Sequence, residues 1–255
     1  MTMTATYPSL KGKVAFITGG GGGIGACLVE AFARQGVKVA FVDIAVTESE
    51  KLVGRLRKEV PEPPLFLPCD ITDIEALRSS IATVRDRLGN IGILLNNAAN
   101  DERHATPDVT VDYWDNRIAV NQRHQFFAAQ AVIPQMQALG GGSIVNFGSV
   151  SWMLKQGGMA AYTMAKASIQ GLTRSLARDF GRDNIRVNTL VPGWILTERQ
   201  VELWLDEDSD KGRRAGQCLD IRLQPGHVAA MALFLAADDS SGCTAQDFIV
   251  DAGWT

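Results

Sequence analysis

Three residues in the second half of the chain carry side chains that together could move a proton. Tyr162 and Lys166 lie four residues apart, and Ser149 lies thirteen residues before the tyrosine. Because positions i and i+4 share one face of a helix, the phenol and the ammonium would point into the same space. A phenol is a poor base at neutral pH, but neighbouring positive charge would favour its phenolate and lower its pKa. The set predicts proton abstraction from an alcohol whose oxygen Ser149 binds.

A glycine-rich run near the start of the chain indicates a site for a phosphate-bearing ligand. The run Gly19-Gly20-Gly21-Gly22-Gly23-Ile24-Gly25 follows an apolar stretch and opens a helical one. Bare backbone at such a turn lets a pyrophosphate reach the free N–H groups of the helix N-terminus. Gly19, Gly23 and Gly25 would supply the turn, the close approach and the tight helix–strand packing of a dinucleotide-binding fold.

Asp43, eighteen residues after Gly25, indicates which dinucleotide binds. A carboxylate at the end of the second strand can accept hydrogen bonds from the adenosine ribose and would repel a 2′-phosphate. No Lys or Arg occurs among Gly19 to Gly25 or directly after Asp43. The sequence therefore favours NAD over NADP as the cofactor. The alternative is that Asp43 is only a turn residue at a strand end.

Short apolar strands alternate with helical stretches along the chain and would position these residues. Continuous apolar runs predict strands that are buried on both faces, at residues 14–17, 37–42, 65–67, 91–95, 143–147, 185–190 and 248–250. Apolar residues at helical spacing predict helices at residues 24–35, 48–59, 73–88, 112–138 and 160–181. This alternation predicts an α/β fold: a doubly wound, parallel, seven-stranded, Rossmann-like sheet in a single domain spanning residues 1–255. The polar segment 194–217 is either a substrate lid or a plain surface excursion, and its place after a strand end favours the lid.

Composition argues against several other classes of protein. Hydrophobic residues make up 46% of the 255 residues and charged residues 21%, as in an ordinary globular protein. A net charge of −3 gives no electrostatic case for nucleic acid or an anionic membrane, and no apolar run is long enough for a membrane span. The four scattered cysteines form no CxxC pair, and the three histidines lack ligand spacing. We expect a cytoplasmic protein with reduced thiols and no metal site.

Taken in order, these motifs resemble the short-chain dehydrogenase/reductase family over nearly the whole chain. The matching pieces are Thr18-Gly19…Gly23-Ile24-Gly25, Cys69-Asp70-Ile71, Asn96-Asn97-Ala98-Ala99, Asn121, Asn146-Phe147-Gly148-Ser149, Tyr162…Lys166 and Pro192-Gly193-Trp194-Ile195…Thr197. One departure is Ala99, which stands where the family usually has glycine. The added methyl group is small, and we expect the cofactor site to tolerate it.

The resemblance also implies roles for further residues. Asp70 and Ile71 would contact the adenine, and Asn97 would border the adenosine ribose or the central sheet. Asn121 would join a proton relay through water, and Lys166 would also bind the nicotinamide ribose. An alternative role for the two asparagines is capping of irregular backbone. The cofactor would be contacted as well by Pro192, Ile195 and Thr197.

Residues just after the strand ends should line the substrate pocket, as in other open α/β sheets. Paired hydrogen-bond donors and acceptors beside flat aromatic rings suit a polyhydroxylated ligand better than a steroid or a fatty acyl chain. The candidate residues are Asn100, Asp101, Arg103, His104, Ser149, Ser151, Trp152, Tyr162, Trp194 and Gln217. The alternative is that residues 101–104 form a solvated charged loop.

Three strings of residues, at 100–104, 113–117 and 251–254, are similar to bacterial NAD-dependent aldose 1-dehydrogenases of the xylose, arabinose or galactose type. That resemblance implies oxidation of an aldopyranose at C1 to its lactone, with Tyr162 deprotonating the anomeric hydroxyl. It also implies a homotetramer in which the helices at 112–138 and 160–181 pack between subunits.

Three alternatives remain open. The first is a dehydrogenase or reductase for another polyol or hydroxy compound. The second is a dinucleotide sensor without activity, which the intact Ser149, Tyr162 and Lys166 argue against. The third is a scaffold or nucleic-acid binder, which the acidic balance of charge argues against.

Overall fold

The sheet is built from short apolar strands, because a strand that is covered on both faces has no need of polar residues. The computed structural model describes residues 5–255, and within that range seven parallel strands form one sheet in the order β3-β2-β1-β4-β5-β6-β7. The strands are β1 Val14–Thr18, β2 Lys38–Asp43, β3 Leu65–Pro68, β4 Ile91–Asn96, β5 Gly142–Phe147, β6 Ile185–Pro192 and β7 Asp247–Val250. The strand order reverses between β1 and β4, and such a switch point opens a crevice at the carboxyl ends of the strands.

Helices cover both faces of the sheet. They are α1 Gly23–Arg34, α2 Val46–Leu56, α3 Ile74–Leu88, α4 Val111–Ile118, α5 His124–Leu139, α6 Ala160–Phe180, α7 Glu198–Trp204, α8 Glu207–Gly216 and α9 Pro225–Ala236. Successive side chains of β1 point to opposite faces of the sheet and so pack in two separate cores. Ala15 and Ile17 pack with α1 and α9 on one face, whereas Phe16 packs with α3, α5 and α6 on the other. The predicted doubly wound fold is confirmed.

The predicted elements differ from the observed ones in three places. The helix predicted at 112–138 is interrupted by a π-helical turn, Ala119–Arg123, between α4 and α5. The polar segment 194–217, in which we predicted no helix, contains α7 and α8. Helix α9 was missed because it is apolar on every side and gives no amphipathic pattern, although Pro225 at its first turn is a recognised start signal. None of the helices within residues 5–255 combines the length and the apolarity that a membrane span requires.

Candidate active site

A deep cleft runs along the carboxyl ends of the strands, where the strand order reverses. Its volume is about 1320 Å³, and its walls extend from the glycine turn after β1 to Tyr162 and Lys166 on α6 and on to α7 and α8. One open volume therefore joins the predicted phosphate site to the predicted proton-transfer site.

The glycine turn after β1 has the backbone that the sequence required. Gly19 and Gly23 have positive φ angles of +68° and +53°, which disfavour any side chain. A Cβ on Gly25 would lie 2.7 Å from the carbonyl carbon of Gly19 and would overlap its oxygen. No side chain caps the first turn of α1, where Gly22 is the N-cap. The N–H groups of that turn are therefore available to a pyrophosphate.

Asp43 supports this turn as well as lining the cleft. Its Oδ2 accepts a hydrogen bond from the Gly21 N–H at 2.7 Å, and its Oδ1 accepts one from the Ala45 N–H at 2.8 Å. Asp70 and Ile71 line the same end of the cleft. The Asp70 carboxylate also shapes its own loop, because it accepts hydrogen bonds from the backbone and the hydroxyl of Thr72.

Asn97 connects the ends of β1 and β4. Its Nδ2 donates to the carbonyl oxygens of Thr18 and Gly19, both at 3.0 Å. The N–H of Ala98 donates to the Thr18 hydroxyl, also at 3.0 Å. The side chain of Asn97 therefore contacts the central sheet, where it holds the glycine turn in position, and its contact with the adenosine ribose stays a prediction.

Opposite the glycine turn, the wall of the cleft follows β6. Pro192, Ile195 and Thr197 all line the cleft. The Thr197 hydroxyl accepts a hydrogen bond from the Gln200 N–H and so caps α7. The Thr197 methyl group lies 3.1 Å from the point where a Cβ on Gly23 would sit. The start of α7 therefore lies against the glycine turn.

Tyr162 and Lys166 share one face of α6, as their spacing predicted. Lys166 is 1% exposed, and its Nζ donates to the carbonyl oxygen of Phe147 at 2.8 Å. That Nζ lies 5.8 Å from the centre of the Tyr162 ring. Ser149 follows β5, where its Oγ accepts a hydrogen bond from the Ser151 N–H at 3.2 Å. Ser149, Tyr162 and Lys166 all line the cleft.

Burial has the largest effect on the pKa values of Tyr162 and Lys166. Burial raises the pKa of Tyr162 to about 12; the hydrogen bond with Ser149 lowers it, the Asp101 carboxylate raises it and Arg103 lowers it. Burial likewise lowers the pKa of Lys166 to about 7, against a rise caused by Asp101. Among the protein groups alone, desolvation outweighs the neighbouring positive charge, so the expected lowering of the tyrosine pKa needs the further positive charge of an oxidised cofactor and stays a prediction.

Asn121 lies in the π-helical turn, a distortion of the kind often found at functional sites. Its Oδ1 accepts from the Asn100 N–H at 2.8 Å, while its Nδ2 donates to the carbonyl oxygens of Asn100 and Arg117. Asn121 is fully buried and does not line the cleft. Its observed contacts fix the loop after β4, and its part in a proton relay stays a prediction.

The predicted substrate residues divide into two groups. Those that line the cleft are Asn100, Asp101, Arg103, Ser149, Ser151, Tyr162 and Trp194. His104, Trp152 and Gln217 lie outside its walls. His104 pairs with the Tyr113 hydroxyl at 3.0 Å and accepts from the Ala161 N–H at 3.4 Å, so it fastens the start of α6. Trp152 is 38% exposed, and Gln217 accepts a hydrogen bond from Arg213.

Several cleft residues were not foreseen from the sequence. They include Leu154, Gln156, Met159, Trp204, Arg213 and Trp254. Trp204, at the end of α7, lies under the guanidinium of Arg103, with 5.1 Å between the Arg103 Cζ and the centre of the ring. Trp254 packs on Gly216, where a side chain would clash with the indole. An aromatic residue within an otherwise polar stretch was the only signal for Trp204.

Comparisons with known proteins agree with this geometry. A family model described as enoyl-(acyl carrier protein) reductase matches residues 20–255. The chain is 49% identical to the D-xylose 1-dehydrogenase of Caulobacter vibrioides over 98% of this chain and 99% of that one. It is 47% identical to a Rhizobium meliloti protein named “Probable galactose dehydrogenase GalD”, over 99% of both.

Solved structures show the same fold. A solved 7α-hydroxysteroid dehydrogenase, complexed with NADH and a 7-oxo bile acid, superposes with a TM-score of 0.92 at 29% identity. The superposition covers 100% of this chain and 98% of that one. The family model and these relatives agree with the glycine turn and with the set of Ser149, Tyr162 and Lys166. The chain therefore belongs to the short-chain dehydrogenase family of oxidoreductases.

Proposed function

We propose that this enzyme oxidises an aldopyranose sugar at C1, with NAD as the hydride acceptor, to give the sugar lactone. The observation that carries the proposal is the single cleft in which the glycine turn and the Ser149, Tyr162 and Lys166 set lie at two ends of one volume. The relatives named for xylose and galactose oxidation support the choice of substrate class.

The residues present fit a nicotinamide dinucleotide. The glycine turn leaves backbone space that a Cβ at Gly19 or Gly25 would fill. Asp43 supports NAD over NADP, because its carboxylate lies beside that turn and no Lys or Arg occurs among its neighbours Ile44 and Ala45. When bound, the dinucleotide supplies the acceptor for the hydride that leaves C1.

The side chains on α6 and after β5 handle the proton. Tyr162 Oη takes the proton of the anomeric hydroxyl, and Ser149 Oγ holds the same oxygen by a hydrogen bond. Because burial raises the pKa of Tyr162, positive charge has to offset the desolvation of its phenolate. Lys166, Arg103 and the positive ring of the oxidised cofactor provide that charge. Lys166, with a pKa of about 7, passes between its charged and neutral forms near neutral pH.

The walls beyond Tyr162 suit a sugar. Asn100, Arg103 and Ser151 offer hydrogen-bonding groups to the cleft, and Trp194 and Trp204 offer flat aromatic surface. Ser151 Oγ is buried and has no hydrogen-bond partner among the described residues. An unpartnered buried hydroxyl is costly, so a ligand hydroxyl is a natural partner for it.

We include three further features in the proposal. The segment with α7 and α8 acts as a lid over the substrate, within a single domain. The enzyme is a homotetramer that packs through α5 and α6, which is supported by the exposed apolar side chains of Phe126 and Met164 on those helices. It acts in the cytoplasm, which is supported by four cysteines that form no disulfide among the described residues.

A substrate panel tests the proposal. Xylose, arabinose, galactose, glucose and fucose, with xylitol and galactitol as matched alcohols that lack an anomeric carbon, are each assayed with NAD and with NADP by nicotinamide absorbance. We expect turnover of one or more aldoses with NAD and formation of the lactone. Turnover of the alditols alone would instead identify a polyol dehydrogenase.

A further inference from the structure

Asp101, in the loop after β4, binds the first turn of α7 across 98 positions of sequence. Its Oδ1 accepts from Arg199 Nη1 at 2.9 Å, and its Oδ2 accepts from Gln200 Nε2 at 2.8 Å. The Gln200 Oε1 in turn accepts from Trp194 Nε1 at 2.9 Å. A carboxylate on one side of the cleft thus holds two parts of the opposite side: the start of α7 and, through Gln200, Trp194 in the segment after β6.

The same carboxylate belongs to the wall that contains the catalytic pair. Asp101, Tyr162 and Lys166 all line the cleft, and the Asp101 side chain is 21% exposed. Its negative charge raises the pKa of both Tyr162 and Lys166. No other acidic side chain acts on both groups among the residues that the structure describes.

Other charged and titratable groups lie around this part of the cleft, either in its walls or paired with wall residues. They are Arg103 in the same loop, Arg117 on α4 with its partner Glu102, His124 on α5 beside Lys166, Arg199 on α7, and Arg213 on α8 with its partner Asp210. Glu102, next to Asp101, points instead to Arg117 at 3.1 Å. The negative charge that reaches the catalytic pair therefore comes from Asp101.

We propose that Asp101 is a positioning residue that fastens α7 over the substrate and sets the charge around Tyr162 and Lys166. The inference rests on the proposed function, because the proton that Tyr162 takes is that of the sugar. With α7 in the position that the structure shows, Arg199 is paired with Asp101. Binding of substrate under α7 and abstraction of its proton are therefore coupled through one carboxylate.

Four variants separate the two effects. Asp101→Asn keeps the shape and one acceptor oxygen but removes the charge, and Asp101→Glu keeps the charge. Arg199→Gln removes the ion pair without removing the carboxylate. Glu102→Gln, which removes the adjacent carboxylate, is the matched control. Each variant is assayed for the pH dependence of kcat and for KM with the preferred aldose, and its folding is checked by its melting temperature.

The variants should differ in the direction of the shift in the pH profile and in KM. Asp101 raises both pKa values, so Asp101→Asn should move both limbs of the pH profile to lower pH, whereas Asp101→Glu should leave the profile in place. Arg199 is half exposed, so its loss should raise KM only about two- to fivefold and leave the profile unmoved. Glu102→Gln should change neither quantity.

A second readout does not depend on turnover. Ultraviolet titration of the phenolate, with the Tyr162→Phe protein as the reference, should show Tyr162 ionising at lower pH in Asp101→Asn than in the wild type. An unmoved profile and an unmoved titration in Asp101→Asn would overturn the charge effect, and an unchanged KM in Arg199→Gln would overturn the fastening. Absence of aldose turnover in the wild type would refute the proposed function, while the titration would still decide the effect of Asp101.

Discussion

Gly25→Ala tests whether the turn after β1 has room for nothing but backbone. The added Cβ would lie 2.7 Å from the Gly19 carbonyl carbon and 2.9 Å from Asn97 Nδ2, and it would overlap the Gly19 oxygen. Ordinary contacts begin near 3.4 Å, so α1 has to move away from β1. The atoms in the way are mostly backbone, which cannot rotate aside as a flexible side chain could.

The cost can be estimated from overpacking of well-packed interiors, which is typically about 1–3 kcal/mol. Because backbone is displaced, we expect about 3 kcal/mol at Gly25. For a chain of this size, each kcal/mol shifts the melting temperature by about 2–4 °C, so the loss should be about 6–12 °C. Displacement of the turn should also abolish the binding of NADH.

Gly54→Ala is the control, because the same substitution should there stabilise the protein. Gly54 is an exposed position within α2, and a Cβ there would meet nothing within 4 Å. Alanine in place of glycine in a helix should stabilise the protein by about 0.5–1 kcal/mol, or about 1–4 °C. Thermal melting and NADH titration of both variants measure the effects. A Gly25→Ala protein that melts and binds NADH like the wild type would refute the close approach.

Three further predictions concern single side chains. Tyr162→Phe should lower kcat by roughly 100-fold or more while leaving the NADH affinity unchanged, as measured by steady-state kinetics and fluorescence titration; near-normal turnover would remove Tyr162 from the role of base. Lys166→Met should raise the melting temperature most below about pH 7 and progressively less toward pH 10.5. The reason is that a lysine whose pKa falls from 10.5 to about 7 on folding destabilises the protein fully below the lower value and less as pH rises. A gain that grew with pH in melts across that range would contradict this assignment. Asp43→Asn should improve kcat/KM for NADP roughly tenfold or more relative to NAD, because like charges near a protein surface repel by about 1–4 kcal/mol; an unchanged ratio would show that Asp43 does not select the cofactor.

The sequence predicted what depends on local spacing. The strands followed from continuous apolar runs, and the shared face of Tyr162 and Lys166 followed from their spacing of four positions. The glycine turn followed from Gly19, Gly23 and Gly25. Gly19 and Gly23 have positive φ angles that glycine adopts most easily, and the neighbours of Gly25 leave no space for a side chain.

What the sequence could not give depends on contacts between distant segments. Spacing shows a neighbouring charge but not burial, and it is burial that raises the pKa of Tyr162 among the protein groups alone. Trp204 and Trp254 reach the cleft only through the placement of α7, α8 and the end of the chain. His104 looked like a pocket residue because it follows β4, yet its ring turns toward Tyr113 and the start of α6.

The most direct test of the central claim is to follow deuterium from C1 of the sugar. The enzyme is incubated with NAD and with an aldose, such as xylose, that carries deuterium at C1. The reduced cofactor is then isolated, and its mass is measured by mass spectrometry. We predict one deuterium in each reduced cofactor, together with the lactone as the product. Reduced cofactor without deuterium would contradict oxidation at C1, whatever the rate of turnover.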